Sequence, residues 1–331
     1  LLAGGARCYA AAWELRRRAY AAGWVRAERV PARVVSIGNL TAGGTGKTTL
    51  TLHLAERAAA RGERSAVVCR NYRPGPRGGV GDETLLYRAA LGEARVFSGG
   101  RKASLARAAA AAGYGLLLVD DGFSHWRLER DLDLVLLDAR DLWGGEALLP
   151  AGRLREPRRA LQRADVVIVT RLAPGEDPAP HFERVRPYAP AAVLAAGRHR
   201  VTGLRPLEGA GGAAPQRVHV VTATGNPDAV TASAKESGLE VVGASVYRDH
   251  HWFSAAEIGR EAEYAAAARA AILITTKDAV RWRDAARRSA LAAGDGDGRA
   301  AVMVLEVGWE WRVGGDQVEA RVFGAAREEA S

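Results

Sequence analysis

Apolar positions along the chain fall into two kinds of pattern. Near the start, Leu2, Ala6, Tyr9, Trp13, Tyr20 and Trp24 recur at spacings of three, four or seven, with Arg7, Arg16, Arg17, Arg18 and Arg26 in the same stretch. That spacing predicts an amphipathic helix over 2–26, closed by Pro31. Short apolar runs then alternate with helix-length, Ala-rich segments. Strands are predicted at 33–37, 65–69, 115–119, 132–137 and 165–169, with helices such as 48–61 and 102–112 between them. Strand and helix in alternation argue for a parallel sheet covered on both faces. Over 174–190 proline becomes frequent and the strand signal stops. A second alternation follows, with strands at 218–222, 240–246, 272–276 and 301–307, and an Asp-Gly-Asp-Gly turn at 295–298. The expected organisation is an N-terminal helix over 1–30, a larger α/β domain over 31–200, and a smaller α/β domain over 201–331 that includes a linker strand near 301–312.

Length and composition agree with this. A chain of 331 residues is long enough for two cores, and 48% hydrophobic with 26% charged residues fits a globular protein rather than a disordered one. No run of about 18 apolar residues is present to form a membrane-spanning helix. Arg7, Glu14 and Arg16 to Arg18 interrupt any apolar core of a secretory signal. The two cysteines, Cys8 and Cys69, form no Cys-x-x-Cys pair, which argues against a disulfide framework or a thiolate zinc site. A net charge of +9 points to an anionic partner without choosing among nucleic acid, nucleotide phosphate and a membrane face. No zinc finger or RNA-recognition signature supports nucleic acid.

The sharpest local signal is Asn39-Leu40-Thr41-Ala42-Gly43-Gly44-Thr45-Gly46-Lys47-Thr48, which follows a predicted strand and opens a predicted helix. That context is what a phosphate-binding loop requires. Glycines let successive backbone N–H groups face phosphate oxygens, and the following helix turns its positive end to the same place. Residues Thr41, Ala42, Gly43, Gly44, Thr45 and Gly46 would cradle the nucleotide. Lys47 would reach the β- and γ-phosphates, and the Thr48 hydroxyl would ligate Mg²⁺. The strict pattern has glycine five residues before Gly46, and this chain has Thr41 there.

Three acidic or histidine elements accompany the loop. Asp120-Asp121-Gly122-Phe123 ends an apolar strand, where a metal-binding Walker B acid belongs, although Asp and Gly also end strands in ordinary turns. Gly81-Asp82-Glu83 reads from spacing alone as a helix N-cap more readily than as a catalytic group. Asp249-His250-His251 lacks the spacing of a metal motif and reads equally as a packing pair.

Taken together, these residues resemble the tetraacyldisaccharide 4'-kinase family. The resemblance is carried by the 38–48 loop, Asp120-Asp121-Gly122-Phe123 with His125, Arg130-Asp131-Leu132-Asp133, and Gly225-Asn226-Pro227. Asp249-His250-His251 and Lys277-Asp278-Ala279-Val280 also carry it, as does the run Leu148-Leu149-Pro150-Ala151-Gly152-Arg153-Leu154-Arg155-Glu156-Pro157. The motifs keep the family's order over almost the whole chain, and generic P-loop proteins lack the last run.

The resemblance implies transfer of the ATP γ-phosphoryl group to the 4'-hydroxyl of tetraacyldisaccharide 1-phosphate, giving lipid IVA, at the cytosolic face of the inner membrane. It implies two α/β domains joined by a two-stranded linker, with the site in the cleft between them. By motif, Asp82 is the general base and His250 its partner. Asp120 and Glu156 fall among the Mg²⁺ ligands with Thr48, Arg155 and Glu156 face the reacting groups, and Asn39, Asp121 and His125 lie near the substrate. No obligate protein partner is implied. The chain departs from the family pattern at Ser124, Asn71 and Thr84, which stand where Gln, Gly and Pro are usual. The N-terminal aromatics and arginines suit an anionic membrane surface, although the same stripe would equally pack on the first domain. The rival reading is a P-loop GTPase or ATPase that hydrolyses nucleotide for metal insertion or assembly. The chain lacks the Asn-Lys-x-Asp guanine element, Thr276-Lys277-Asp278 being the nearest stretch.

Overall fold

Runs such as Leu116–Asp120 and Val166–Thr170 are buried at every position, the signature of strands covered on both faces. The computed structural model describes residues 2–71, 79–208, 215–288 and 300–324, without the side chains of 286–288. The turn expected at 295–298 lies outside the described residues, as does most of the Gly/Pro/Arg-rich stretch after Arg70. The chain divides into two compact units. Unit 1 holds Leu1–Arg70, Ala90–His199 and Trp309–Ser331; unit 2 holds Asn71–Ala89 and Arg200–Gly308.

In unit 1 the strands are β1 (Arg33–Asn39), β2 (Ser65–Arg70), β3 (Val96–Gly99), β4 (Leu116–Asp120), β5 (Leu132–Asp138), β6 (Val166–Thr170) and the first part of β7 (Val193–Pro206). They lie in the order β3-β2-β4-β1-β5-β6-β7, all pairing parallel. The helices α1 (Leu2–Ala21), α2 (Lys47–Ala60), α4 (Lys102–Ala111), α5 (Ala179–Val185) and α9 (Gly315–Phe323) belong to this unit, while α3 (Asp82–Leu91) begins in unit 2. Leu50, Leu54 and Ala58 place one face of α2 in the core at helical spacing.

Unit 2 carries β8 (Arg217–Thr222), β9 (Glu240–Val246), β10 (Ala271–Thr275) and most of β11 (Val302–Val313), in the order β11-β10-β8-β9 and again parallel. Alternate residues supply its two cores. Ile272, Ile274 and Val304 pack on one face, and Leu273, Met303 and Leu305 on the other. Helices α6 (Pro227–Glu236), α7 (Ala255–Ala267) and α8 (Thr276–Arg288) cover it. A capping box starts α7: Ser254 accepts from Glu257 N, and Glu257 reaches back to Ser254 N.

The parallel α/β architecture expected from the alternation is therefore present in each unit. The pattern missed β3 and β7. β3 is a four-residue edge strand, and β7 runs Val-Leu-Ala-Ala-Gly-Arg-His-Arg-Val, which contains no long apolar run. The N-terminal helix stops at Ala21 rather than near 26.

Trp13 is buried against Trp126, whose ring centroid lies 5.9 Å away, and Tyr20 packs 5.5 Å from the same ring. Leu2, Leu15 and Trp24 remain exposed, so the aromatic stripe is divided between core and surface.

Candidate active site

In unit 1 the carboxyl ends of β1 and β4 stand side by side, with Ile37 opposite Asp120. This is the position where ligands meet open parallel sheets. Gly46 precedes α2 in the left-handed region at φ 96°, and a Cβ there would lie 2.8 Å from His199 Nε2. The backbone angle favours glycine at this position, and a side chain there would also have to displace the His199 ring. The Asn39 amide donates to Gly43 O (3.1 Å) and ties the end of β1 to the middle of the loop.

The departure at Thr41 has a structural reason. Leu40 to Ala42 are not curled; they pair with the Arg153 to Arg155 segment. Ala42 N donates to Arg153 O and Arg155 N to Leu40 O, each at 2.7 Å, and Thr41 bridges Leu154. A strand-like residue suits that position better than glycine. The Leu148 to Pro157 run thus lies against the loop. Leu149 N donates to Leu154 O and Leu154 N to Ala147 O, a parallel bridge that closes a tight loop and presents Arg155.

The Arg155 guanidinium forks onto Asp121 at 2.6 and 2.9 Å, donates to Asn39 O at 3.1 Å, and also reaches the Asn39 side-chain oxygen. Lys47 Nζ stands 4.0 Å from Asp121. Burial pushes the Asp121 carboxyl up, but Arg155, Lys47 and Lys102 outweigh it and hold the group well below the usual carboxylate range. Asp121 has φ 50°, an unusual angle for a non-glycine residue that Asp tolerates better than most. The turn is held from beneath by Lys102, which is buried at the start of α4 and donates to the carbonyls of Asp120 and Asp121.

Asp120 is buried at the end of β4, and Thr48 is buried in the first turn of α2. Among the described residues no group of three or more His, Cys, Asp or Glu side chains forms a metal cage. A hydroxyl and one carboxylate beside a phosphate loop fit Mg²⁺, which keeps water and phosphate ligands and seldom uses an all-protein cage. Glu156 is placed differently from these. Its carboxylate is buried and accepts from Arg163 (2.5 Å), with Trp126 Nε1 at 3.5 Å. His125 lies after the turn, partly buried. Burial, and then the charges of Lys102, Arg70, Arg130 and Arg16, push its pKa down to about 4.

Sequence reasoning missed three residues around the loop. Arg171 Nη2 lies 3.7 Å from where a Cβ on Gly44 would sit, and Trp309 flanks Gly46 together with His199. Arg171 follows β6 directly, and Thr170 before it donates to Thr45 O at 3.1 Å. Position just past a parallel strand end was the available signal for Arg171. His199 and Trp309 sit on strands that the pattern did not resolve in full.

In unit 2, Asp82 is buried at the first turn of α3. Its Oδ1 accepts from Glu83 N at 2.9 Å, and its Oδ2 lies 2.7 Å from His250 Nδ1. A carboxylate can only accept, so Nδ1 carries the proton of that bond. His250 adopts φ 62° and donates its backbone N–H to Ala223 O. The neighbouring His251 is engaged elsewhere, stacked 5.0 Å from Tyr247 and 3.1 Å from Glu257. The choice between the two histidines is thereby decided in favour of His250 as the residue paired with Asp82. Burial pushes the Asp82 carboxyl up, while His250, Arg281 and Lys277 pull it below its ordinary value, with the net effect downward. Gly225-Asn226-Pro227 starts α6, and Arg130 to Asp133 is structural: Asp131 accepts from Val34 N, and Arg130 grips Asp133.

The model of one family, described as LpxK: Tetraacyldisaccharide-1-P 4'-kinase, matches residues 1–322. A tetraacyldisaccharide 4'-kinase of Anaeromyxobacter dehalogenans (strain 2CP-C) is 36% identical over 341 aligned positions, covering 94% of this chain and 86% of its own. A protein of that name from Geobacter metallireducens is 36% identical, covering 82% of this chain and 85% of its own. The crystal structure of LpxK from Aquifex aeolicus in complex with ATP aligns with TM-score 0.68 over 97% of this chain and 96% of that one. At 21% identity it speaks for the fold. With a family match across nearly its whole length and relatives above a third identical, the chain belongs to the tetraacyldisaccharide-1-P 4'-kinase family.

Proposed function

We propose that this chain transfers the γ-phosphoryl group of ATP to the 4'-hydroxyl of tetraacyldisaccharide 1-phosphate, forming lipid IVA and ADP. The observation that carries this is the buried Asp82–His250 pair in a chain that also holds a phosphate loop with Lys47 and Arg155. Phosphoryl transfer asks little covalent work of a protein; it asks for positioning and for charge to meet the equatorial oxygens. The backbone N–H groups of Gly43 to Thr48 and the Lys47 ammonium supply that charge. Arg155, oriented by Asp121 and Asn39, adds a fixed guanidinium. Mg²⁺, when bound, neutralises phosphate charge, and the Thr48 hydroxyl and Asp120 are the groups that would hold it.

A sugar hydroxyl is a weak nucleophile. In the reaction its oxygen bonds to the γ-phosphorus, its proton passes to the Asp82 carboxylate, and the bond to the ADP oxygen breaks. His250 keeps that carboxylate oriented. To Asn39, Asp121 and His125 we assign further contacts with the acceptor.

The acceptor is a lipid, and we infer peripheral attachment at the cytoplasmic face of the inner membrane. No helix among the described residues is long and apolar enough to cross a membrane. The exposed Leu2, Leu15 and Trp24 beside basic residues suit an anionic interface.

The test is transfer of label from γ-labelled ATP to tetraacyldisaccharide 1-phosphate in detergent micelles. Wild type should label the lipid, and Lys47→Ala should not. A folded wild type that binds ATP but labels no lipid, and instead releases phosphate, overturns the kinase reading in favour of nucleotide hydrolysis.

A further inference from the structure

Asp278 and Arg281 are the most enclosed ion pair of unit 2, with 0% and 1% of their side chains exposed. They lie three residues apart on α8. Asp278 Oδ1 accepts from Ala223 N (3.0 Å) and from Arg281 Nη2 (2.6 Å), and its Oδ2 accepts from the hydroxyls of Thr222 (3.1 Å) and Thr275 (2.7 Å). Arg281 Nη2 also donates to Ala223 O at 3.0 Å. One edge of the guanidinium is therefore fully used, whereas Nε and Nη1 are buried without a hydrogen-bond acceptor.

Nη1 nevertheless forms an ion pair with Asp82. It stands 3.4 Å from Oδ2, the same oxygen that meets His250 Nδ1. A buried cation with two unsatisfied donors is costly, and an ion pair with Asp278 alone does not require its charge to stand beside a second buried carboxylate. The network also grips Thr222 and Ala223, and Ala223 O receives the backbone N–H of His250. It thus holds both partners of the Asp82–His250 pair.

We propose that Arg281, anchored by Asp278, is a positioning residue for phosphoryl transfer that fixes the Asp82 carboxylate against His250. This rests on the reading of Asp82 as the general base. The charged groups around Asp82 are His250, Arg281 and Lys277. Asp278 lies behind Arg281, Glu83 stands 3.6 Å from Lys277, and Asp249 lies 3.8 Å from His250 Nε2. Of the cations, Arg281 is the one whose place is set by burial.

The experiment is the single-turnover rate of phosphoryl transfer against pH for wild type, Arg281→Lys, Arg281→Met, Arg281→Met/Asp278→Asn and Asp82→Asn, each checked for folding by circular dichroism. The double variant leaves no uncompensated charge in the core and guards against Arg281→Met failing to fold. Loss of the cation should move the acid limb upward by about one unit or more. ATP affinity should stay unchanged, and Arg281→Lys should stay close to the wild-type limb. An acid limb in the folded double variant that coincides with wild type overturns the proposal while leaving Asp82 as the base. Wild-type rates and an unmoved limb in Asp82→Asn overturn the base assignment itself, and the proposal with it.

Discussion

His250 Nδ1 meets Asp82 Oδ2 at 2.7 Å, in a chain where the two residues are separated by 168 positions. On the proposed reading of Asp82 as base and His250 as its partner, the two should not contribute additively. Asp82→Asn keeps the shape and removes the proton acceptor, and should lower kcat about 10²–10⁴-fold. His250→Ala should cost less, because the carboxylate remains. The double variant should be no slower than Asp82→Asn alone. Label transfer measured at saturating ATP reads this directly, and multiplicative losses would show that the two residues act independently.

Arg155 carries a second prediction. Its fork onto Asp121 and Asn39 needs a planar guanidinium, which a lysine ammonium cannot copy. Arg155→Ala should reduce kcat about 10²–10³-fold, as removal of a preorganised charge does. Stability should fall by about 2 kcal/mol, because charge-assisted bonds to Asp121 are lost. Arg155→Lys should recover most of the stability but little of the rate. Kinetics and urea midpoints on the same preparations separate the two effects, and full activity in Arg155→Lys would reduce Arg155 to a simple counter-charge.

Much of this was legible in the sequence because the informative residues act locally. The phosphate loop, the Asp120-Asp121 strand end and the inner strands each declare themselves within a dozen positions. Asp82 did not, because a helix N-cap and a general base look alike until a partner 168 positions away is in place. Arg171 was missed because its contact with the loop comes from sheet order, and its place just past a strand end was the one signal it gave. Thr41 looked like a defect in the loop and proved to be a paired position, since its partner Leu154 lies in a distant segment of the chain. Arg281 is a basic residue on a helix, which a sequence places on the surface by default; only the fold turns it inward.

His125 gives a pH prediction. Its pKa falls from an ordinary 6.5 to about 4, first through burial and then through surrounding cations, so it is neutral at pH 7. Because the folded value is depressed, the unfolded chain binds more protons between the two values. Stability is therefore complete above about pH 6.5 and declines as pH falls towards 4. The site is only partly buried, so solvent screening limits the effect to the order of 1 kcal/mol. His125→Gln should lose less stability than wild type between pH 7.5 and about 4.5, as read from urea midpoints. Equal losses in both proteins would place the histidine's titration at its ordinary value.

The N-terminal segment, α1 and the turn after it, predicts two separable phenotypes. Trp13 is buried against Trp126, and Arg159 lies over its ring at 5.2 Å, so Trp13→Ala should cost about 3–5 kcal/mol of stability. Trp24 is 78% exposed and Leu15 65%, so serine at either position should leave stability within about 0.5 kcal/mol of wild type. If these side chains enter a lipid interface, each replacement removes part of an apolar anchor, and together they should weaken binding to anionic phospholipid vesicles roughly tenfold. The remaining attraction should then depend more steeply on salt, because the basic residues become its main source. Co-sedimentation at low and high salt, beside thermal melts, tests both halves. Vesicle binding that is unchanged in Leu15→Ser/Trp24→Ser would leave α1 as a packing element of unit 1 and require another surface to meet the lipid.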